Sequence, residues 1–162
     1  MTENYDQALA AYYQKHPLTL LPIQSFDIFS IGQSEILQFN AIQQHWKVKE
    51  CFATAVYKQK REIIITNANS EIVFASEGIT QMNGYQPFEI IGKTPKMFQG
   101  EATSLETRKS IKIALQNQMP FKAVILNYNK DGSTYLCEIE AKPKFNSKGE
   151  LVNYIAFERV AS

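Results

Sequence analysis

Cysteine is scarce in this chain: Cys51 and Cys137 are the two in 162 residues, far apart. No Cys-x-x-Cys pair exists, so neither a zinc site nor a thioredoxin-like motif can be built on one. Reduced thiols in the cytoplasm are the expectation. Histidine is as rare, with His16 and His45 alone, both upstream of the β-rich region. An excess of one charge is missing too. The 17 Lys and Arg against 16 Asp and Glu leave a formal net charge of +1, so no whole-chain field draws it to nucleic acid or an anionic membrane. The densest basic run, Lys58-Gln59-Lys60-Arg61, reads as a solvated linker. No apolar run approaches the roughly 18 residues of a membrane span, and Met1 to Ala10 lacks the basic-then-apolar pattern of a signal peptide. A Gly-rich phosphate loop, a Gly-x-Ser-x-Gly elbow and a His-Glu-x-x-His motif are all absent. So is any defensible carboxylate pair. The expectation is a protein that is not an enzyme.

What is present is a core. Hydrophobic residues make up 44% and charged residues 20%, the balance of an ordinary globular domain. Residues 1–57 read as a helical N-terminal extension and residues 58–162 as a compact unit. In the extension, Leu9, Tyr12 and Tyr13 give helical spacing between Glu3 and Lys15, with Pro17 just beyond. A second helix is expected from Gln33 to Lys47, where Ile36, Phe39, Gln43 and Trp46 share a stripe that needs a partner surface.

The compact unit has a regular rhythm. Glu62 to Thr66 is a β-branched run, Asn67-Ala68-Asn69-Ser70 is turn chemistry, and Glu71 to Ala75 returns as a strand. Ser76 is placed to cap a short helix ending at Asn83-Gly84, and Pro87 to Ile91 forms another turn stopped by Gly92. Thr103-Ser104-Leu105-Glu106 reads as a capping box opening a helix to about Gln116, with Leu105, Arg108, Ile111 and Leu115 on one stripe. Strands follow over Phe121 to Tyr128, Ser133 to Phe145 and Glu150 to Val160, joined by the glycine-containing turns Asn129-Lys130-Asp131-Gly132 and Asn146-Ser147-Lys148-Gly149. Short turns make the pairing antiparallel. The fold class is therefore α+β: a five-stranded antiparallel sheet with short helices on one face, plus the helical extension. Val124, Leu126 and Tyr128 alternate with Phe121, Ala123, Ile125 and Asn127, and Leu151, Ile155 and Phe157 lie opposite Val152, Tyr154, Ala156 and Glu158. Apolar residues on both faces of one sheet demand cover on both. The extension, a second copy of the chain, or both must provide it, and a homodimer is expected.

Several segments carry a family resemblance. Gly92-Lys93-Thr94-Pro95-Lys96-Met97-Phe98-Gln99-Gly100, Met82-Asn83-Gly84-Tyr85 and Asn127-Tyr128-Asn129-Lys130-Asp131-Gly132, in this order and spacing, resemble signatures of the PAS sensor superfamily, closest to its light-oxygen-voltage (LOV) branch. The resemblance covers about residues 60 to 160. It implies a sensory or interaction module of signal transduction, whose pocket is empty or takes a small-molecule ligand other than flavin and whose output goes to a second copy or to a signalling partner in trans. In the LOV branch a cysteine bonds a flavin under blue light. Pro95 stands at that position, so the resemblance implies no such photochemistry here.

The same resemblance marks Gln99, Asn127, Thr94, Lys96, Cys137 and Glu158 as candidate pocket residues. Gln99 and Asn127 match flavin contacts of the branch. Thr94 replaces an asparagine, Cys137 a second ring-binding asparagine, Glu158 the signalling glutamine, and Lys96 an arginine whose bidentate fork lysine lacks. FMN or FAD is thus the alternative cofactor rather than the expected one. Haem is not expected, because His16 and His45 both lie in the extension. A glutamate facing a flavin carbonyl is acceptor against acceptor unless it is protonated, and burial raises a carboxylate's pKa. Pairing with Lys96 or with a ligand cation, and a solvated place at the pocket rim, are the other readings of Glu158. For Cys137 the plain reading is a small buried hydrophobe.

Overall fold

The computed structural model describes residues 34–162. The expected helix over Glu3 to Lys15, and His16, lie outside the described residues. Residues Glu35–Ser162 form one compact unit, so the stretch from 35 to 57 packs with the strands that follow it.

The sheet has five strands: β1 (Glu62–Asn67), β2 (Ile72–Ala75), β3 (Phe121–Tyr128), β4 (Thr134–Phe145) and β5 (Leu151–Val160). Their order is β2-β1-β5-β4-β3, and every neighbouring pair is antiparallel. The bounds fall within a residue of those expected, because turn residues set them. The side chains of Asn67 and Asn146 each accept two backbone N–H bonds inside their turns. Gly132 and Gly149 take left-handed φ values of 86° and 81°, a conformation glycine adopts without steric cost.

Between β2 and β3 run α2 (Ile79–Asn83), α3 (Pro87–Ile90), a 3-10 turn over Pro95–Phe98, and α4 (Leu105–Gln116). Two expected caps differ. Ser76 does not cap α2; its hydroxyl accepts the Ile63 N–H and donates to Glu62, tying β1 to β2. The cap of α4 is Ser104, which accepts the Thr107 N–H at 3.2 Å. Thr103 turns away to donate its hydroxyl to the Leu126 carbonyl of β3 at 2.8 Å. The reciprocal glutamate expected on α4 is found on α3 instead, where Glu89 accepts the Gln86 N–H.

The inner and outer faces are packed differently. Inside, Ile64, Ile72, Ala75, Ile79, Ile90 and Phe98 fill the β1–β2 end. Toward β3 the packing loosens: α4 buries none of its residues fully. Leu105, expected on its buried stripe, is 78% exposed. Outside, a helix α1 over 34–42, a 3-10 turn Gln43–His45 and a π-helical turn Thr54–Lys58 lie across the sheet. Its α-helical part ends at residue 42, ahead of the Lys47 expected. Phe39, Trp46, Phe52 and Ala55 close over Ile63, Ile65, Phe74, Ile155 and Phe157. Val152 joins this outer cluster, rather than the face of Tyr154. Phe39 meets Phe52, Phe74 and Trp46 edge-on at 5.4, 5.8 and 6.3 Å between centroids, a favourable aromatic arrangement.

Polar contacts fasten this cover. The Trp46 indole N–H donates to Asn153 on β5 at 2.8 Å, and the Lys47 N–H donates to the Phe145 carbonyl of β4 at 2.8 Å. Lys144, buried beside the Trp46 ring, donates to Glu50 at 2.5 Å. The cover stops short of β3. Val124 and Leu136 on that half are 52% and 51% exposed. Truncation of Phe39 to alanine removes the centre of the aromatic cluster and is expected to cost about 3–5 kcal/mol, read as a lower urea midpoint with unchanged slope.

Candidate functional site

Strand alternation brings three of the six sequence candidates together. Asn127 on β3 lies opposite Tyr135 on β4, Ile125 lies opposite Cys137, and Ile139 lies opposite Glu158 on β5. Side chains two apart share a face, so Asn127, Tyr135, Cys137 and Glu158 form one inward-facing polar cluster. Asn127, Cys137 and Glu158 are buried. The other three candidates do not join them in the core. Thr94 and Lys96 are exposed around the 3-10 turn, and Gln99 is half-buried at its end. Gly100, next to it, is required by a close approach: a Cβ there would sit 2.4 Å from the Tyr128 ring.

Glu158 decides the electrostatics. It is 5% exposed, which corrects the reading of it as a glutamate at a wet rim. The pairing with Lys96 is not made either: Lys96 is exposed, and the buried partner of Glu158 is the Cys137 thiol, 3.6 Å away. Desolvation by burial pushes the Glu158 carboxyl up to about 7, with the Cys137 hydrogen bond opposing it. Burial, then the nearby Glu158 charge, push the Cys137 thiol far above its ordinary range. It is an inert thiol, as a small buried hydrophobe should be. Burial likewise raises the Tyr135 phenol.

Two further residues hold buried, unpaired polar atoms and carry no sequence signature of a site, and the first of them faces the cluster. Asn83, at the C-terminus of α2, is 2% exposed. Its Oδ1 accepts the Tyr85 N–H, while its Nδ2 is buried without a partner, as is the Tyr135 hydroxyl. The Asn83 and Asn127 amides face that hydroxyl without closing a well-aligned bond to it. Arg108 of α4 is the other: it donates to the Gly100 carbonyl, and its Nε is buried and unpaired. Neutral amides and phenols are abundant in ordinary cores, so only their placement reveals them.

Residues 61–159 match the family described as PAS domain. The chain belongs to the PAS family. It is 27% identical over 108 residues to a nitrogen fixation regulatory protein of Klebsiella oxytoca, covering 67% of this chain and 22% of that one. It is 34% identical over 88 residues to Protein TWIN LOV 1 of Arabidopsis thaliana, covering 54% and 22%. It therefore spans under a quarter of the length of these relatives. Among solved structures, the dark-state LOV domain of the blue-light photoreceptor Aureochrome1 superposes with a TM-score of 0.64 at 26% identity, over 72% of this chain and 86% of that one. The LOV branch is thus the neighbourhood of this PAS domain, with the expected five-stranded antiparallel sheet and short helices.

At the Cys137–Glu158 end of the cluster the residues do not fit a flavin ring edge, although the Asn83 amide and the Tyr135 hydroxyl are unpaired donors beside them. The ring edge presents carbonyl oxygens, which need donors. The Cys137 proton is directed at Glu158, and Glu158 above about pH 7 offers acceptors only. No group of His, Cys, Asp and Glu that could hold a metal occurs among the described residues, and His45 is exposed in the turn after α1.

The Glu158 shift has a sign that can be tested. Its folded pKa lies above the unfolded one, so the unfolded chain releases the proton first and stability is lost as pH rises from about 4.5 through about 7, then levels off. Glu158→Gln lacks this loss. The variant is expected to gain on the parent by up to about 3 kcal/mol between mildly acidic and mildly alkaline pH, measured by denaturant unfolding at each pH. Parallel profiles would place an ordinary carboxylate at this position.

Proposed function

We propose that this PAS domain is a sensory and interaction module of signal transduction. The state of its inner polar cluster is coupled to contacts on the outer face of the same sheet, to a second copy or a signalling partner. The observation that carries the reading is the composition of β5. Glu158 sits in the inner cluster, and its neighbour Phe157 packs in the outer cluster under Phe39 and Trp46. A small-molecule ligand or a proton that alters Glu158 acts one residue from the cover. Such a stimulus shifts the packing only to the extent that it favours one arrangement over the other. The regulatory and light-sensing relatives support this role.

No catalytic activity is assigned to the domain. Free thiols at Cys51 and Cys137 support a cytoplasmic setting. No helix among the described residues is long and apolar enough to cross a membrane. No nucleic-acid or membrane partner is assigned.

Light sensing through a cysteinyl-flavin bond is excluded from the proposal by Pro95, which has no thiol to give. The purified protein is expected to show no flavin absorption and no blue-light-dependent bleaching, in spectra taken before and after illumination. Stoichiometric flavin would overturn the ligand assignment.

A homodimer through the uncovered half of the sheet is part of the proposal. Leu126 and Leu136 lie directly opposite each other on β3 and β4, and Val124 and Leu136 are exposed on the same outer face. Light-scattering mass measurement is expected to give a dimer at micromolar concentration, and Leu136→Glu a monomer. A monomeric parent protein would count against the interface.

A further inference from the structure

The solvent face of α4 combines apolar side chains with unpaired charge. At about 3.6 residues per turn, Leu105, Lys109, Lys112, Ile113 and Gln116 fall within an arc of roughly 100°, and all five are exposed. Leu105 is 78% exposed and Ile113 48%. The two lie about 12 Å apart along the helix axis, with both lysines between them. The opposite side of the helix, made of Thr107, Arg108, Ile111, Ala114 and Leu115, is half-buried.

Single exposed apolar side chains are ordinary. This face differs in two respects. The first is packing. A helix of this length is marginal in water and is held in a protein by the side it buries. α4 has 12 residues and buries none of them fully, so cover over Leu105 and Ile113 would supply what the domain itself does not. The second is charge. On the sheet, Lys122 and Lys142 share Glu140, and Lys130 at the β3–β4 turn holds Glu89. Neither Lys109 nor Lys112 has a carboxylate partner among the described residues. Glu106, at the border of the face, pairs with neither and lies in the first turn, where a carboxylate suits the helix N-terminus.

Two free cations framed by apolar side chains are complementary to carboxylates framed in the same way. A helix presents that pattern when apolar residues stand two turns apart with Asp or Glu on the turn between. We propose that the solvent face of α4 is a docking surface for an acidic amphipathic helix of a partner protein. Its apolar side chains would rest on Leu105 and Ile113, and its carboxylates on Lys109 and Lys112. An anionic lipid surface fits less well, because recognition of one takes a cluster of roughly four to eight basic residues and this face has two. The surface is on the helical side of the sheet, across from the proposed dimer contact, so it stands whether or not the homodimer forms.

Two alanine-based helical peptides make a matched pair of probes. Both carry leucines two turns apart, with glutamates between them in one and lysines in the other. Titrated at up to millimolar concentration into the isotope-labelled full chain, the glutamate peptide is expected to shift the backbone amide resonances of Leu105 to Gln116 in a saturable way. The lysine peptide is expected to leave them in place. Lys109→Glu combined with Lys112→Glu, at exposed positions where folding is not at stake, is expected to weaken the glutamate peptide about tenfold and to admit the lysine peptide. Leu105→Ser is expected to weaken the glutamate peptide as well. No shift, equal shifts from the two peptides, or unchanged binding by the charge-reversed variant would overturn the assignment. So would sedimentation of the chain with phosphatidylserine vesicles without a response to the glutamate peptide, which would point to a lipid surface instead.

Discussion

Phe39 has no exposed surface and is held by three aromatic rings, and the fold depends on that burial. A sheet with isoleucines and phenylalanines on both faces cannot stand in water with one face bare. The short helices cover the inner face and α1 with its following turns covers much of the outer one. The segment from 35 to 57 is thus a structural part of the unit, even though the PAS match begins at residue 61. The polar ties of Trp46 to β5, and of Lys47 and Glu50 to β4, fix where the cover lies, and its apolar contacts supply the free energy.

The inner face carries the opposite problem. Its β1–β2 end is filled by hydrocarbon, whereas Asn83, Asn127, Tyr135, Cys137 and Glu158 place amides, a phenol, a thiol and a carboxyl at its β3–β5 end. Buried polar groups are tolerated when each has a partner and are costly when it does not. This cluster is partly satisfied. Glu158 has a thiol, the weakest of donors, for its partner. An interior arranged in this way is poised to change with a proton or a ligand, which is what a sensor requires and a structural core avoids.

Much of this was readable in the amino-acid sequence, and for identifiable reasons. Strand bounds were legible because Asn67, Gly132, Asn146 and Gly149 each have a local backbone role. The inward placement of Asn127, Cys137 and Glu158 followed from period-two alternation. The burial of Glu158 did not, since a residue two positions from a strand's end has no local signal of how deep it lies. Ser76 and Thr103 have the local pattern of helix caps, but the hydroxyls of both bond to strands instead. Asn83 and Arg108 were invisible as site residues: their importance lies in atoms left unpaired by the tertiary fold.

Trp46 is the chain's single tryptophan, and it lies where α1's cover is pinned to β5, with its indole N–H on Asn153 and its ring beneath Lys144. Loss of the cover would strip the indole of hydrogen bond, cation and apolar walls at once. The protein therefore carries its own optical gauge: the colour and yield of its emission report whether the outer face is closed, with no label added and no other tryptophan to blur the reading.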